Sequence, residues 1–348
     1  MNRNESDSME KIRFKDYLID YLEYNNITNK DFANRIGITP KHLIDILSGN
    51  KDISSQLIEN ISLVTNIPSD YICKVETNYK FEREIEKYLE KENLTESEYL
   101  NKFNYKYLIK EKFLDFIDIE DKREIIKDIL KFLRVPNPNK VYEIDKNIYY
   151  KSKNDKTELL LLWLEKCYRE TLKQTVGEYK KENINNLVDY ITKCASKNYF
   201  NEKEIIEKFN EEGIYLVIAN DIPGSKIRGA FKVHRDKPAI YLTYKHKRIA
   251  DIYFALLHEL AHCKTEFNSA KAGSFISFEN EKETKADIQA LDWMVSNNYY
   301  KNVCLNKNYD ISKEKQYPKC FVVYRLAFDK KIQYSSKEYQ QYNIILTK

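Results

Sequence analysis

The segment RIADIYFALLHELAHCKTEF constrains this chain more than any other. Ile252, Leu256 and Leu260 recur at helical spacing and mark an apolar face, so the segment reads as a helix laid against a core. His258, Glu259 and His262 lie on that helix. Residues four apart share a helix face, so both imidazoles can reach one cation. Zinc, which takes nitrogen ligands at about 2.0–2.1 Å, is the natural occupant. Glu259, next to the first imidazole, is placed to take a proton from water at that cation. With only 5 histidines in the chain, this spacing with a glutamate in place is rarely an accident of composition.

A catalytic zinc takes a third protein ligand and leaves one position for water. No histidine follows His262, so the third ligand has to be a carboxylate. The stretch FENEKETKADIQALDWMVSNN is acidic and then helical, and it places Glu283 and Asp287 four residues apart. One carboxylate can bind the metal while the other orients a ligand imidazole. Glu279 and Glu281 are rivals to Glu283 for the ligand role. His234 and His246 fall in or beside expected strands and read as surface or core histidines rather than ligands.

The HELAH helix, the segments GAFKV and AIYLT before it and ETKADIQALDWM after it resemble the ImmA/IrrE family of metallo-endopeptidases, over about residues 213 to 295. In that family a Glu-x-x-Ala-Asn/Asp motif follows the HExxH helix. The resemblance implies a zincin-like α+β domain with Zn2+ as cofactor. His258, His262 and Glu283 would be ligands, Glu259 the base, and Ala286-Asp287 the family's Ala-Asn/Asp pair. It also implies attack on a peptide carbonyl, with Glu259 returning its proton to the leaving amine. Two departures, Ile288 for the usual Phe and Trp293-Met294-Val295 for Leu-Met-Pro, look like core variation. A strand such as Ala239 to Thr243 is expected to pair with the substrate backbone. The oxyanion partner must be found among many tyrosines and arginines.

A second pattern occupies the N-terminal part. Thr28 is placed to cap a helix carrying Phe32, Ala33 and Ile36, and Gly37 supplies the left-handed turn after it. Thr39 caps a second helix with Pro40 at its first position, running to Ser48 and ending at Gly49. Ser54 or Ser55 starts another helix, and Ser69 a last short one. This is a helix-turn-helix pattern, and about residues 13 to 75 resemble Cro/CI-type (Xre-like) DNA-binding domains, including HigA-like antitoxin regulators. By that resemblance the helix from Pro40 enters the major groove, with Lys41, His42 and Asp45 outward and Asn29 near a phosphate. Residues 11 to 80 hold about nine basic and about nine acidic side chains, so the module has no strong electrostatic footprint.

Between the two lies a charged helical stretch. Thr95 and Glu98 form a capping box, Ile125, Ile126, Ile129, Leu130 and Leu133 follow helical spacing, and Pro136 stops that helix. Further helices are expected over about 156 to 175, 180 to 196 and 202 to 211. The chain therefore reads as mainly α with a small β-sheet, in three parts. A five-helix helix-turn-helix domain spans 1–78, a helical scaffold 79–205, and an α+β zinc metallopeptidase domain 206–348.

The formal net charge of +4 does not by itself argue for nucleic acid. The start of the chain shows no signal peptide, and the apolar run Leu159 to Trp163 is far too short to span a membrane. The six cysteines form no CxxC pair and read as reduced thiols, so a cytoplasmic protein is expected. The first functional reading is a DNA-binding regulatory zinc metallo-endopeptidase. It would act as a homodimer on a double-stranded operator and cleave a protein partner, a repressor or antitoxin-like regulator. The alternative is an antitoxin-like transcriptional repressor whose zinc domain senses or binds a partner, such as a toxin, with little turnover.

Overall fold

The computed structural model describes residues 13–116, 118–143, 157–245, 247–271, 280–306 and 309–346. It is mainly helical, with seventeen α-helices and one small three-stranded mixed sheet among the described residues. The contacts divide the chain into two compact units, Met1–Glu96 and Ser97–Lys348.

The first unit contains α1 (Phe14–Tyr24), α2 (Asn29–Ile36), α3 (Pro40–Leu47), α4 (Ser55–Thr65) and α5 (Ser69–Glu92). The Thr28 hydroxyl accepts from the Asp31 amide at 3.1 Å, and Thr39 accepts from the His42 amide at 3.2 Å, so both central helices start where cap chemistry puts them. Gly37 joins them with φ of 78°, a conformation that disfavours any residue with a Cβ. Ser54 caps α4 by accepting from the Leu57 amide. Phe32, Ala33, Ile36, Leu43 and Ile46 are buried with Phe14, Leu18 and Ile61, and the small Ala33 lets α2 and α3 cross closely. The helix from Ser69 is not short: it runs 24 residues to Asn93, whose φ of 51° ends it. No glycine or proline interrupts that stretch, so nothing stops the helix earlier.

In the second unit α6 (Glu96–Lys102), α7 (Tyr105–Lys110), α8 (Lys122–Phe132), α9 (Pro138–Val141) and α10 (Thr157–Thr171) precede α11 (Asn183–Ser196) and α12 (Glu202–Glu211). The chain then enters β1 (Tyr215–Ala219), β2 (Gly229–His234) and β3 (Lys237–Thr243). The strand order is β1-β3-β2, with β1 parallel and β2 antiparallel to β3. β3 therefore has both edges occupied, which corrects the expectation that Ala239 to Thr243 pairs with a substrate. Among the described residues β2 is the edge strand beside the site developed below.

Next comes α13 (Ile249–Lys271), the HELAH helix. Its expected apolar face is only part of the picture, because every residue from Ile252 to Cys263 is buried. Ile240, Leu242 and Phe231 of the sheet cover one side, and Ile191, Phe321 and Val322 from α11 and α16 (Lys319–Phe328) belong to the same core. The other sheet face meets α10, where the Trp163 ring packs edge-on to Tyr241. The helices expected over 180–196 and 202–211 pack into this same core through Ile184, Leu187, Ile191, Ile205 and Phe209.

The chain then forms α14 (Asn280–Met294), α15 (Asn297–Leu305), α16 and α17 (Lys337–Tyr342). The segment after α17 returns to the start of α13. The Asn343 side chain, fully buried, accepts from the Ala250 amide at 2.8 Å and donates to Asp251 at 3.3 Å, while the Tyr339 hydroxyl donates to the same carboxylate at 2.7 Å. Free amides at the head of a buried helix need such partners. Asn343→Ala should therefore destabilise this unit by about 1–3 kcal/mol, read as a lower denaturant midpoint, and an unchanged midpoint would contradict the capping role.

A candidate metal centre on helix α13

His258 and His262 sit one turn apart on α13 with both rings buried and their Nε2 atoms 3.1 Å apart. Glu283, at the start of α14, faces both: its Oε2 lies 3.3 Å from His258 Nε2 and its Oε1 3.3 Å from His262 Nε2. These three side chains form a group able to hold one cation. The distances fit the donor set. Bonds of about 2.0–2.1 Å to a tetrahedral zinc put neighbouring ligand atoms roughly 3.3–3.4 Å apart. Two imidazole nitrogens and one carboxylate are also the ligand chemistry zinc accepts, with a fourth position left over.

Each imidazole is held from behind. His258 Nδ1 lies 2.8 Å from Asp287 Oδ1, one turn after Glu283 on α14, as the four-residue spacing suggested. His262 Nδ1 lies 2.9 Å from Glu266 Oε1, one turn further along α13, and Glu266 is itself buried. Glu266 was absent from the sequence reading, although it stands at i+4 from His262 and the same rule that pointed to Asp287 would have found it. A carboxylate on the far ring nitrogen fixes the tautomer, turns Nε2 toward the cation and raises its basicity.

These carboxylates favour the protonated form of both rings. Burial presses the His258 imidazolium down, but the hydrogen bonds to Asp287 and Glu283 outweigh it and its pKa is raised. His262 follows the same pattern: burial lowers it, Glu266 and Glu283 raise it more, and the result is about 10. Burial pushes the Glu283 carboxyl up, yet the two imidazoles beside it hold it well below the usual carboxylate range.

Glu259 lies on the same buried helix and lines the same cavity as these three side chains. It faces the first residue of the edge strand. A Cβ built on Gly229 would fall 2.5 Å from Glu259 Oε1 and 2.9 Å from the end of the Leu242 side chain, so glycine lets the strand and the carboxylate approach this closely and a larger residue would push those side-chain ends aside. Phe231, Phe254 and Phe328 give the cavity apolar walls, and Arg228, Tyr324 and Tyr334 bring hydrogen-bond donors to it. The C-terminal end of α14 is held by buried Arg325, which donates to the carbonyls of Leu291 (3.1 Å) and Val295 and stacks on Tyr300.

Of the rivals for the third ligand, Glu281 is exposed and pairs with Lys285 at 2.7 Å, and Glu279 lies outside the described residues. His234 is buried at the end of β2 and takes no part in the centre, and His246 lies outside the described residues. The nucleic-acid candidates stand in the first unit. Asn29 and Lys41 are exposed, His42 is half-buried, and Asp45 is half-buried with Lys51 3.6 Å from its carboxylate. Comparison of the chain with protein-family models, with curated proteins and with solved structures found no match.

Metal analysis should find one zinc per chain, lost in His262→Ala and in Glu283→Ala. Glu266→Ala should keep the metal but weaken its binding about 10–100-fold, measured by competition with a chelating dye, and unchanged affinity would exclude the orienting role. Zinc needs neutral imidazoles, whereas, against burial, Glu266 and Glu283 push the His262 pKa up to about 10. Uptake near pH 7 should therefore release protons and weaken as the pH falls, and uptake without net proton release in a weakly buffered titration would contradict this.

Proposed function

We propose that the second unit is a zinc metallo-endopeptidase, similar to the ImmA/IrrE family in its ligand pattern, and that the protein acts as a DNA-linked regulatory protease. The observation that carries this reading is the buried His258-His262-Glu283 cluster, with Glu259 in the same cavity beside the free edge of β2. A purely structural zinc is bound on all four sides by protein. Here three ligands converge on a cavity with room for a substrate, and a carboxylate that is not in the ligand cluster faces it.

His258, His262 and Glu283 would hold the ion. When bound, zinc lowers the pKa of its water and polarises a carbonyl. The rest falls to this chain's own residues. A peptide laid along β2 would exchange backbone hydrogen bonds with the strand's free edge, which holds it extended and fixes its register. Gly229 at the start of β2 faces Glu259, so a peptide held along this strand would be brought beside the base. Glu259 takes the proton from the attacking water and returns it to the leaving amine. The phenyl rings of Phe231, Phe254 and Phe328 exclude water and suit an apolar substrate side chain. Tyr334 and Arg228 are the exposed donors at the cavity and the candidates to meet the developing oxyanion.

The first unit supports a DNA-binding role through α3. Its capped N-terminus, the preceding turn at Gly37 and the outward Lys41 match a recognition helix that enters a major groove. Asp45, paired with Lys51, favours selective over strong binding. Both modules in one chain suggest cleavage of a repressor or antitoxin-like partner near an operator. No described helix is long and apolar enough to cross a membrane.

Glu259→Gln should keep zinc and lower peptide cleavage by at least about 100-fold. Cells expressing the wild-type chain should contain new protein N-termini that are missing with Glu259→Gln, and identical sets under several stresses would refute the protease. In a gel shift on its own promoter region the protein should be retarded in a salt-sensitive way, and less so as Lys41→Ala. Equal, salt-insensitive retention of both would refute the DNA contact.

A further inference from the structure

A second cavity lies behind the sheet. Gly229 and Phe231 of β2 face α13, so at the two-residue period of a strand Lys232 and His234 point the other way, toward α10. There they line a cavity with Arg134, which follows α8, and with Glu165 and Tyr168 of α10. Leu161, Leu164 and Tyr241 supply its apolar wall.

His234 is the group the fold leaves unexplained. It is 8% exposed, its ring lies edge-on to Tyr168 at 4.7 Å and to Tyr215 at 5.2 Å, and its Nε2 finds no hydrogen-bond partner among the described residues. A buried polar nitrogen is rarely left without a partner, and one at a cavity wall is placed to meet a ligand. The charge around it is positive. Burial lowers the His234 pKa, and the neighbouring Arg235 and Arg134 lower it further, so near pH 7 the imidazole is neutral in a cationic field. The carboxylate at this cavity, Glu165, is already met by Arg134 at 2.7 Å and by Arg169 at 3.0 Å. Arg134 also stacks on Tyr168 and holds a φ of 58°, so a large cationic side chain stands where a helix end usually takes glycine or asparagine.

We propose that this cavity binds a small organic carboxylate, its oxygens meeting His234 Nε2–H, Lys232 and Arg134 and its apolar body packing against Leu161, Leu164 and Tyr241. Inorganic phosphate shares the oxyanion chemistry but lacks the apolar body, so the walls favour the carboxylate. The site is separate from the metal centre and stands whether or not that centre cleaves peptides. One strand nevertheless touches both, since β2 begins against Glu259 and ends at His234.

The test is a nuclear magnetic resonance titration of the full chain with butyrate, read at the His234 ring, whose signals are assigned by their loss in His234→Phe. Butyrate should shift them saturably. Lys232→Met should weaken binding at least tenfold, phosphate should bind more weakly than butyrate, and butylammonium should not bind. Because the readout is at His234, binding of butyrate at His258 and His262 is distinguished from binding here. His234→Phe keeps a ring against Tyr168 and should abolish butyrate binding measured by calorimetry, after subtraction of any response at the metal centre. The proposal is overturned if butyrate leaves the His234 signals unmoved, if Lys232→Met binds as the wild type does, or if butylammonium binds as well. Phosphate binding more tightly than butyrate would overturn the assignment to an organic carboxylate.

Discussion

Four ionisable side chains, His258, Glu259, His262 and Glu266, are buried on three turns of one core helix. Burying such groups without partners costs several kcal/mol each, so the four together would outweigh the margin by which a domain is ordinarily stable. The surrounding chain has to supply charge and hydrogen-bond partners where α13 passes through the core. Glu266 answers His262 from the same helix, Glu283 and Asp287 arrive together on α14, and Gly229, which carries no side chain, leaves room for the Glu259 carboxylate. Such a cluster is a poor way to stabilise a fold, because apolar residues of the same volume would do at least as well. Its presence in the middle of an otherwise apolar core argues for chemistry rather than architecture.

The remainder of the second unit can be understood as the frame for that helix. Ile240, Leu242 and Phe231 support α13 from the sheet, and Asn343 and Tyr339 tie down its first turn from nearly a hundred residues away. Arg325 holds the far end of α14 by its last carbonyls, which keeps Glu283 and Asp287 facing the imidazoles. Rigid helices, rather than loops, therefore carry all three candidate ligands, and ligands held this way need little reordering when a cation arrives.

How much of this was legible in the sequence depends on the range of each interaction. Contacts within a helix could be read directly: His258 and His262 from their spacing, Asp287 from its distance to Glu283, and the caps Thr28 and Thr39 from the residues that follow them. Glu266 obeys the same rule, at i+4 from His262, and its role shows only once its carboxylate is seen 2.9 Å from the ring. Which strand lies at the edge beside the cluster could not be read, since AIYLT and GAFKV look alike until pairing puts Ala239 to Thr243 in the centre and Gly229 to His234 at the edge. Nor could Asn343, whose partner Ala250 is 93 positions away. The apolar pattern of α5 thins after Ile72, which hides its length, although no breaker appears before Asn93.

The central claim is that the buried cluster on α13 is a metal centre of two imidazoles and one carboxylate. X-ray absorption at the zinc edge of the purified, metal-loaded protein tests it most directly. The account predicts about four nitrogen or oxygen neighbours near 2.0–2.1 Å, with the multiple scattering of two imidazole rings. Sulfur neighbours near 2.3 Å would place the metal on cysteines such as Cys263 instead, and a protein that takes up no zinc at all would contradict the account outright.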